Sequence, residues 1–162
     1  MSGRSSLLQF LLIVDLVLIV LVFSLAFSHV MELPGKLQLS STVWLVVQQT
    51  LYNNFGPFAS VVEPLGIALA WILTVLLRRE KPGGRLVLLA AICSSAGLIE
   101  WAIVVSPMNT RLNSWTPATL PVDWTTVRDR WELGHVGHAI LFGIALCALT
   151  WATVRPPRTP ER

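Results

Sequence analysis

The chain has 162 residues, of which 54% are hydrophobic and only 13% are charged. A soluble globular domain carries about a quarter charged residues, so this composition argues against one. The net charge of +3 indicates no nucleic-acid surface, because the basic residues lie in the links between apolar stretches and form no single patch. At about 150 residues per domain, the length predicts one domain.

Four apolar stretches dominate the sequence, and each is close to the ~20 residues that a helix needs to cross a bilayer. They cover about residues 7–31, 57–77, 86–105 and 133–154. We therefore predict an all-α fold, an integral membrane four-helix bundle whose single transmembrane domain covers residues 1–154. The polar, proline-rich segment 155–162 cannot form a core, and we expect a disordered cytoplasmic tail there.

The basic residues predict the orientation of this bundle. Eight of them fall on one side of the predicted spans, namely Arg4, Arg78, Arg79, Lys81, Arg85, Arg155, Arg158 and Arg162. The other side holds Lys36, Arg111, Arg128 and Arg130. Short loops rich in Lys and Arg stay in the cytoplasm, so we expect a protein of the cell membrane with both termini cytoplasmic. The short link at residues 78–85 also makes the second and third helices antiparallel neighbours.

Two outer segments are more than simple links. Pro34-Gly35 predicts the end of the first helix, and the amphipathic stretch 43–51 predicts a short helix that lies at the outer interface or folds back over the bundle. The segment 108–130 holds prolines and scattered tryptophans, which indicate an ordered outer loop with aromatic groups at the headgroup level. These segments would cover the outer end of the bundle.

Ionisable residues inside the spans are expensive in a membrane and are functional candidates by default. His29 and Glu32 stand three residues apart on one face of the first helix, and Glu132 and His135 repeat that spacing in the fourth. Glu63 and Glu100 each lie 15 residues from the basic inner link, which is roughly 22 Å along a helix. All four helices therefore contribute a carboxylate to the outer half. Asp15 lies deeper, at another level.

This set of residues matches a known metal-binding pattern. Di-iron and di-manganese bundles take one Glu from each of two helices and a Glu-x-x-His pair from each of the others. The predicted metal ligands are Glu32, Glu63, Glu100, Glu132, His29 and His135, with His138 as an additional ligand or a second-shell donor. Such ligands suit iron, manganese or zinc. The first pair runs in the reverse order, His before Glu.

Two other interpretations use the same residues. Glu32 and Glu132 sit at helix ends, where water, Lys36 or Arg128 could satisfy them without any ligand. Alternatively, the site could need no cofactor, because a histidine beside a carboxylate can remove a proton from an acidic carbon or a phenol. The resulting anion could react with oxygen directly, with Arg128 and Lys36 holding it near the outer mouth.

The outer motifs also resemble one known family. They comprise Ser28-His-Val-Met-Glu-Leu-Pro-Gly-Lys36, Val47-Gln-Gln-Thr-Leu-Tyr52, Pro107-Met-Asn109 with Trp115, and a Trp124-x-x-x-Arg128-x-x-Trp131-Glu132-x-x-His135 segment. Together they resemble the DUF1772 family of small four-helix membrane proteins, also called the anthrone oxygenase family. The resemblance covers about residues 27–148 and implies oxygenase activity on polycyclic phenolic anthrones, without a cofactor in some members. Asn109, Trp124, Arg128 and His135 match the motif, whereas His138 departs from it.

We therefore expect an oxidoreductase or oxygenase that acts on a lipophilic or phenolic substrate. The candidate catalytic residues are His29, His135, Arg128 and Asn109. A non-catalytic membrane subunit or binding protein with a tryptophan-rich outer cap is the first alternative, and a small carrier is the second. Beyond the bilayer, a lipophilic small molecule is the expected partner. Gly66, Gly97 and Gly143 permit close helix contacts, either within one bundle or in a homo-oligomer.

Overall fold

The computed structural model describes residues 6–154, and helices dominate it. In chain order they are α1 (Ser6–Lys36), α2 (Ser41–Leu51), α3 (Phe55–Leu77), α4 (Gly83–Glu100), α5 (Ser106–Asn113) and α6 (Trp124–Val154). A π-helical turn, Trp101–Val105, joins α4 to α5 in one rod. Four stretches are long and apolar enough to cross a membrane, namely Ser6–Lys36, Phe55–Leu77, Gly83–Asn113 and Trp124–Val154. The predicted all-α four-helix fold is confirmed.

The four long helices expose many apolar side chains, as helices in contact with lipid do. Phe10, Val61, Ile103 and Ile140 are each about half or more exposed. In a soluble protein such a surface would be an aggregation hazard, so these helices are those of a candidate membrane protein. The predicted tail at 155–162 lies outside the described residues, and the cytoplasmic placement of the termini stays a prediction.

The bundle has two unlike ends. The end that α2 and α5 cover is here called the capped end, and the end at residues 78–82 is called the turn end. The core nearer the turn end consists of closely packed aliphatic groups that include Leu12, Ile19, Leu73, Leu77, Val87, Ala145 and Leu149. The core under the cap contains larger side chains and is partly aromatic. Its buried residues are Trp44, Leu45, Val105, Met108, Leu112, Val127 and Trp131.

The helices extend further towards the capped end than the predicted spans. The predicted helix stop at Pro34-Gly35 is wrong by one turn or less, because α1 includes Pro34 and ends at Lys36. The third rod continues past Ser106 to Asn113, with Pro107 in the first turn of α5, directly after the π-helical turn. Between the two placements open for 43–51, the structure shows α2 folded back, with Trp44, Leu45 and Gln48 buried.

Glycines bring α4 and α6 close together beside the polar residues. A Cβ atom at Gly97 would stand 2.7 Å from Cε2 of Phe142, and one at Gly134 would stand 2.6 Å from Cγ2 of Val105. A Cβ atom at Gly143 would likewise stand 3.3 Å from Cε2 of Phe23. These close contacts lie within one bundle, and a homo-oligomer stays a prediction.

Candidate functional site

A cavity of about 540 Å³ lies at the capped end, and all six α-helices contribute residues to its lining. Its polar lining consists mainly of His29, Gln48, Glu63, Asn109, His135 and His138. Apolar groups such as Val22, Ala26, Leu98 and Trp101 complete the wall. Its volume is in the range of about 300–1,000 Å³ that is typical of small-molecule sites. The exposed residues Asn53, Gly56, Pro57 and Ser60 also line it, so it reaches the surface near the start of α3.

Two histidines from different helices meet in this cavity. The rings of His29 and His135 lie 4.2 Å apart between centroids, and the Trp131 ring stands 4.9 Å and 4.0 Å from them, respectively. The sequence predicted both histidines for one site, and the structure brings them together. Their hydrogen-bond partners differ, however, and that difference determines what each ring can do.

The partner of His135 assigns its tautomer. His135 Nδ1 lies 2.9 Å from the Trp131 carbonyl oxygen, which can only accept a hydrogen bond. Nδ1 of the neutral ring therefore carries the proton, and Nε2 is left as an acceptor. An imidazole held in this way is arranged as a general base.

The partner of His29 assigns the opposite tautomer. His29 Nδ1 lies 2.9 Å from Nζ of Lys36, and a lysine ammonium can only donate. Nδ1 of His29 is thus the acceptor, and Nε2 carries the proton. The two adjoining rings therefore carry one N–H donor and one acceptor nitrogen at their Nε2 atoms, and both residues line the cavity.

Lys36 is buried at the centre of a charged cluster above the histidines. Its Nζ lies 3.2 Å from Oε2 of Glu32 and 3.6 Å from Oε2 of Glu132. Trp44 Nε1 donates to Oε1 of Glu132 at 3.3 Å, and the Tyr52 hydroxyl donates to Glu32. Burial, and then this bond to Glu32, raise the pKa of the Tyr52 phenol, so it remains a neutral donor. The ammonium balances the charge of both carboxylates without a ligand, as one interpretation of the sequence expected, but Oε2 of Glu132 has no hydrogen-bond partner among the described residues.

His138 forms a second polar group one turn further from the cap. Its Nδ1 donates to the Gly97 carbonyl at 3.1 Å. Its Nε2 lies 3.7 Å from Oε1 of Glu63, and its Nδ1 lies 3.8 Å from Oε2 of Glu100. His138 thus stands between the carboxylates of α3 and α4, although its place in the sequence pattern left its role open. The glycine at position 97 lets α4 and α6 approach closely enough for this contact.

The six predicted metal ligands are thereby divided between two levels. Glu32, Glu132 and His29 surround the Lys36 ammonium, whose positive charge would repel a metal ion at that point. Across residues 6–154, no group of three or more His, Cys, Asp or Glu side chains is arranged to hold a metal ion. The assignment of iron, manganese or zinc ligands stays a prediction; its residues are Glu32, Glu63, Glu100, Glu132, His29 and His135.

The structure separates the two remaining candidates. Asn109 lines the cavity, and its Oδ1 accepts a hydrogen bond from Trp131 Nε1 at 2.6 Å, which orients the indole beside the histidines. Arg128 is not among the cavity-lining residues. Its Nε pairs with Oδ1 of Asp129 at 2.8 Å, and its guanidinium lies 5.0 Å from the centre of the Trp124 ring. The structure therefore gives no support for the predicted contact between Arg128 and a substrate anion.

Gln48 is a cavity residue that the sequence did not single out. It lies one turn after Trp44 on α2, and both side chains are buried under the cap. A glutamine on the apolar face of an amphipathic helix was the available signal, because such a face normally carries only apolar groups.

Comparison of the chain with family models, with curated proteins and with solved structures gives no match. The resemblance to anthrone oxygenases therefore stays an expectation based on the motifs.

Proposed function

We propose that this protein is a membrane-embedded oxygenase that takes a lipophilic phenolic compound into the capped cavity and needs no cofactor. The observation that carries the proposal is the pair of adjoining histidines, His29 and His135, whose partners give them opposite tautomers. The resemblance to anthrone oxygenases suggests the substrate class. The apolar walls and the volume of the cavity suit a small ring compound.

His135 acts as the general base in this proposal. Its free Nε2 removes a proton from an activated ring methylene, while Nδ1–H stays bonded to the Trp131 carbonyl. This bond holds the ring in the tautomer that can accept a proton, and it stabilises the imidazolium that results. A positioned base of this kind contributes about 10²–10⁴-fold to a rate.

His29 stabilises the charge that the deprotonation creates. Loss of the methylene proton from an anthrone places negative charge on the ring carbonyl oxygen, and the Nε2–H of His29 can donate to that oxygen. Lys36 holds this tautomer in place through Nδ1. A donor that is fixed before the reaction stabilises a developing oxyanion more effectively than mobile water does.

The remaining chemistry balances with dioxygen as the only oxidant. The carbanion adds to O₂ and recovers one proton from His135, which gives a hydroperoxide at the former methylene carbon. Loss of water from that hydroperoxide leaves a ketone. The net reaction converts CH₂ and O₂ into C=O and H₂O, and His135 returns to its neutral form.

Oxygen uptake by detergent-purified protein with anthrone tests the proposal. We expect His135→Gln to lower the enzymatic rate by about 10²–10⁴-fold, because the base is lost while a polar side chain of similar length remains. Arg128→Gln is the matched control, and we expect it to retain the wild-type rate because Arg128 lies outside the cavity. An unchanged rate in His135→Gln, or no uptake by folded wild-type protein with any anthrone, would contradict the proposal.

A further inference from the structure

Two buried polar side chains of the cavity lack partners that such groups normally have. Gln48 is 5% exposed, and neither of its amide atoms has a hydrogen-bond partner among the described residues. Glu63 is also 5% exposed, and its Oε1 has none within residues 6–154. Buried polar groups in proteins are nearly always bonded, so two exceptions in the same cavity indicate groups that a ligand satisfies.

These two residues lie at different levels of the cavity. Gln48 projects from α2, which covers the capped end, and it follows Trp44 by one turn. Glu63 lies beside His138, which is one turn of α6 further from the cap than His135. The histidine pair therefore lies at the level between an amide near the cap and a carboxylate at the far end of the cavity.

The charges around the cavity favour a neutral ligand. Glu63 contributes a carboxylate to the lining, whereas no Lys or Arg lines the cavity in the part of the chain that the structure describes. Lys36 lies above the histidines, and Glu32 and Glu132 already neutralise it. A ligand carboxylate would add a second carboxyl group beside Glu63 where no Lys or Arg among the described residues lines the cavity, whereas a hydroxyl group could donate to Oε1.

We infer that Gln48 and Glu63 are the two polar anchors of a bound ligand, and that the ligand is a neutral ring compound with a hydroxyl group at each end. One hydroxyl donates to Oε1 of Glu63. The other bonds the Gln48 amide, which can donate and accept. The inference rests on the proposed function in placing the ligand in the same cavity, but it does not need the oxygen chemistry. It assigns selectivity to two residues that the proposed reaction does not use.

Binding of small fluorescent probes to wild-type protein in detergent tests the inference without turnover. The probes are 2,6-dihydroxynaphthalene and the longer 4,4′-dihydroxybiphenyl, compared with 2-naphthol, naphthalene and 6-hydroxy-2-naphthoate. We expect the better diol to bind at least about 10-fold more tightly than 2-naphthol, because each anchored hydroxyl adds a hydrogen bond in a buried site. We expect the carboxylate to bind more weakly than 2-naphthol.

Two variants assign these preferences to residues. Gln48→Leu should lower the affinity of the diol about 10-fold and leave naphthalene unaffected. Glu63→Gln should remove the discrimination against 6-hydroxy-2-naphthoate. Gln38→Leu and Asp123→Asn are matched controls on exposed residues outside the cavity, and we expect wild-type affinities for both.

The wild-type comparison needs no variant to fold, so it can overturn the inference directly. Diols that bind no more tightly than naphthalene would show that the two anchors are not used. Equal binding of the carboxylate and the diol would refute the role of Glu63. Tight diol binding without oxygen uptake from anthrone would uphold the inference while contradicting the proposed function, and uptake without diol selectivity would do the reverse.

Discussion

The two halves of the bundle have different cores. Towards the turn end, buried aliphatic side chains such as Leu73 and Leu77 form the core between the helices. Towards the capped end, the helices surround a cavity of about 540 Å³, and buried charges stand beside aromatic rings. The core of the turn half is almost entirely aliphatic, whereas the capped half combines a cavity with most of the buried polar residues.

This difference separates a site from its support. A buried ion pair such as Lys36–Glu132 is weak support for stability, because desolvation of both charges offsets their attraction. Its contact with His29 gives it another use, since it holds one ring of the histidine pair in a defined tautomer. We therefore interpret the capped half as a positioned site and the turn half as the support that holds the four helices together.

The largest expected effect on stability comes from breaking the charged cluster. Lys36→Met leaves Glu132 buried without its cation, which should lower the free energy of unfolding by about 3–5 kcal/mol. Unfolding in mixed detergent and dodecyl sulfate micelles measures this change. Lys81→Met, at an exposed position in the turn, is the control.

The double variant Lys36→Met/Glu132→Gln tests whether the stability loss comes from the unpaired charge of Glu132. It removes both charges, so it should recover much of the stability that Lys36→Met loses. A Lys36→Met protein as stable as Lys81→Met would show that the cluster is not buried as described.

A smaller effect of opposite sign is expected in the turn half. Asp15 is fully buried on α1, and neither of its carboxyl oxygens has a hydrogen-bond partner in the described part of the chain. Replacement of an unsatisfied buried polar group by an apolar group of similar shape is stabilising, so Asp15→Leu should raise the free energy of unfolding by about 1–3 kcal/mol. The same micelle assay measures it, with Asp15→Asn as a near-isosteric control. A loss of stability in Asp15→Leu would show that Asp15 has a partner and that the turn half is not purely structural.

Much of the fold could be predicted because hydrophobicity and length alone determine which segments can cross a bilayer. The predicted span 57–77 differs from α3 by only two residues at its start. The outer ends of the other helices were less predictable. Pro34 was predicted to end the first helix, yet α1 continues through it to Lys36, and the third rod continues beyond the predicted span end at residue 105 to Asn113.

The sequence predicted how far along its helix each polar residue of the site lies, but not how each helix is rotated about its axis. His29, Glu32 and Lys36 share one face of α1, and their contacts follow from that spacing. Arg128 shares a face with His135 but lies seven residues nearer the cap, which is about 10 Å along the helix and too far from the cavity. The pairing of Glu63 and Glu100 with His138 depends on how three helices are rotated about their axes, and the spacing of residues in one chain does not determine that.

The most direct test of the central claim is nitrogen NMR of isotope-labelled histidine in the detergent-solubilised protein, with His29→Gln and His135→Gln used to assign the signals. We expect opposite tautomers, with the proton on Nε2 in His29 and on Nδ1 in His135. This arrangement gives the pair one N–H donor and one acceptor nitrogen. The same tautomer in both rings would contradict the account, because the pair would then lack either the base or the donor that the proposed reaction requires.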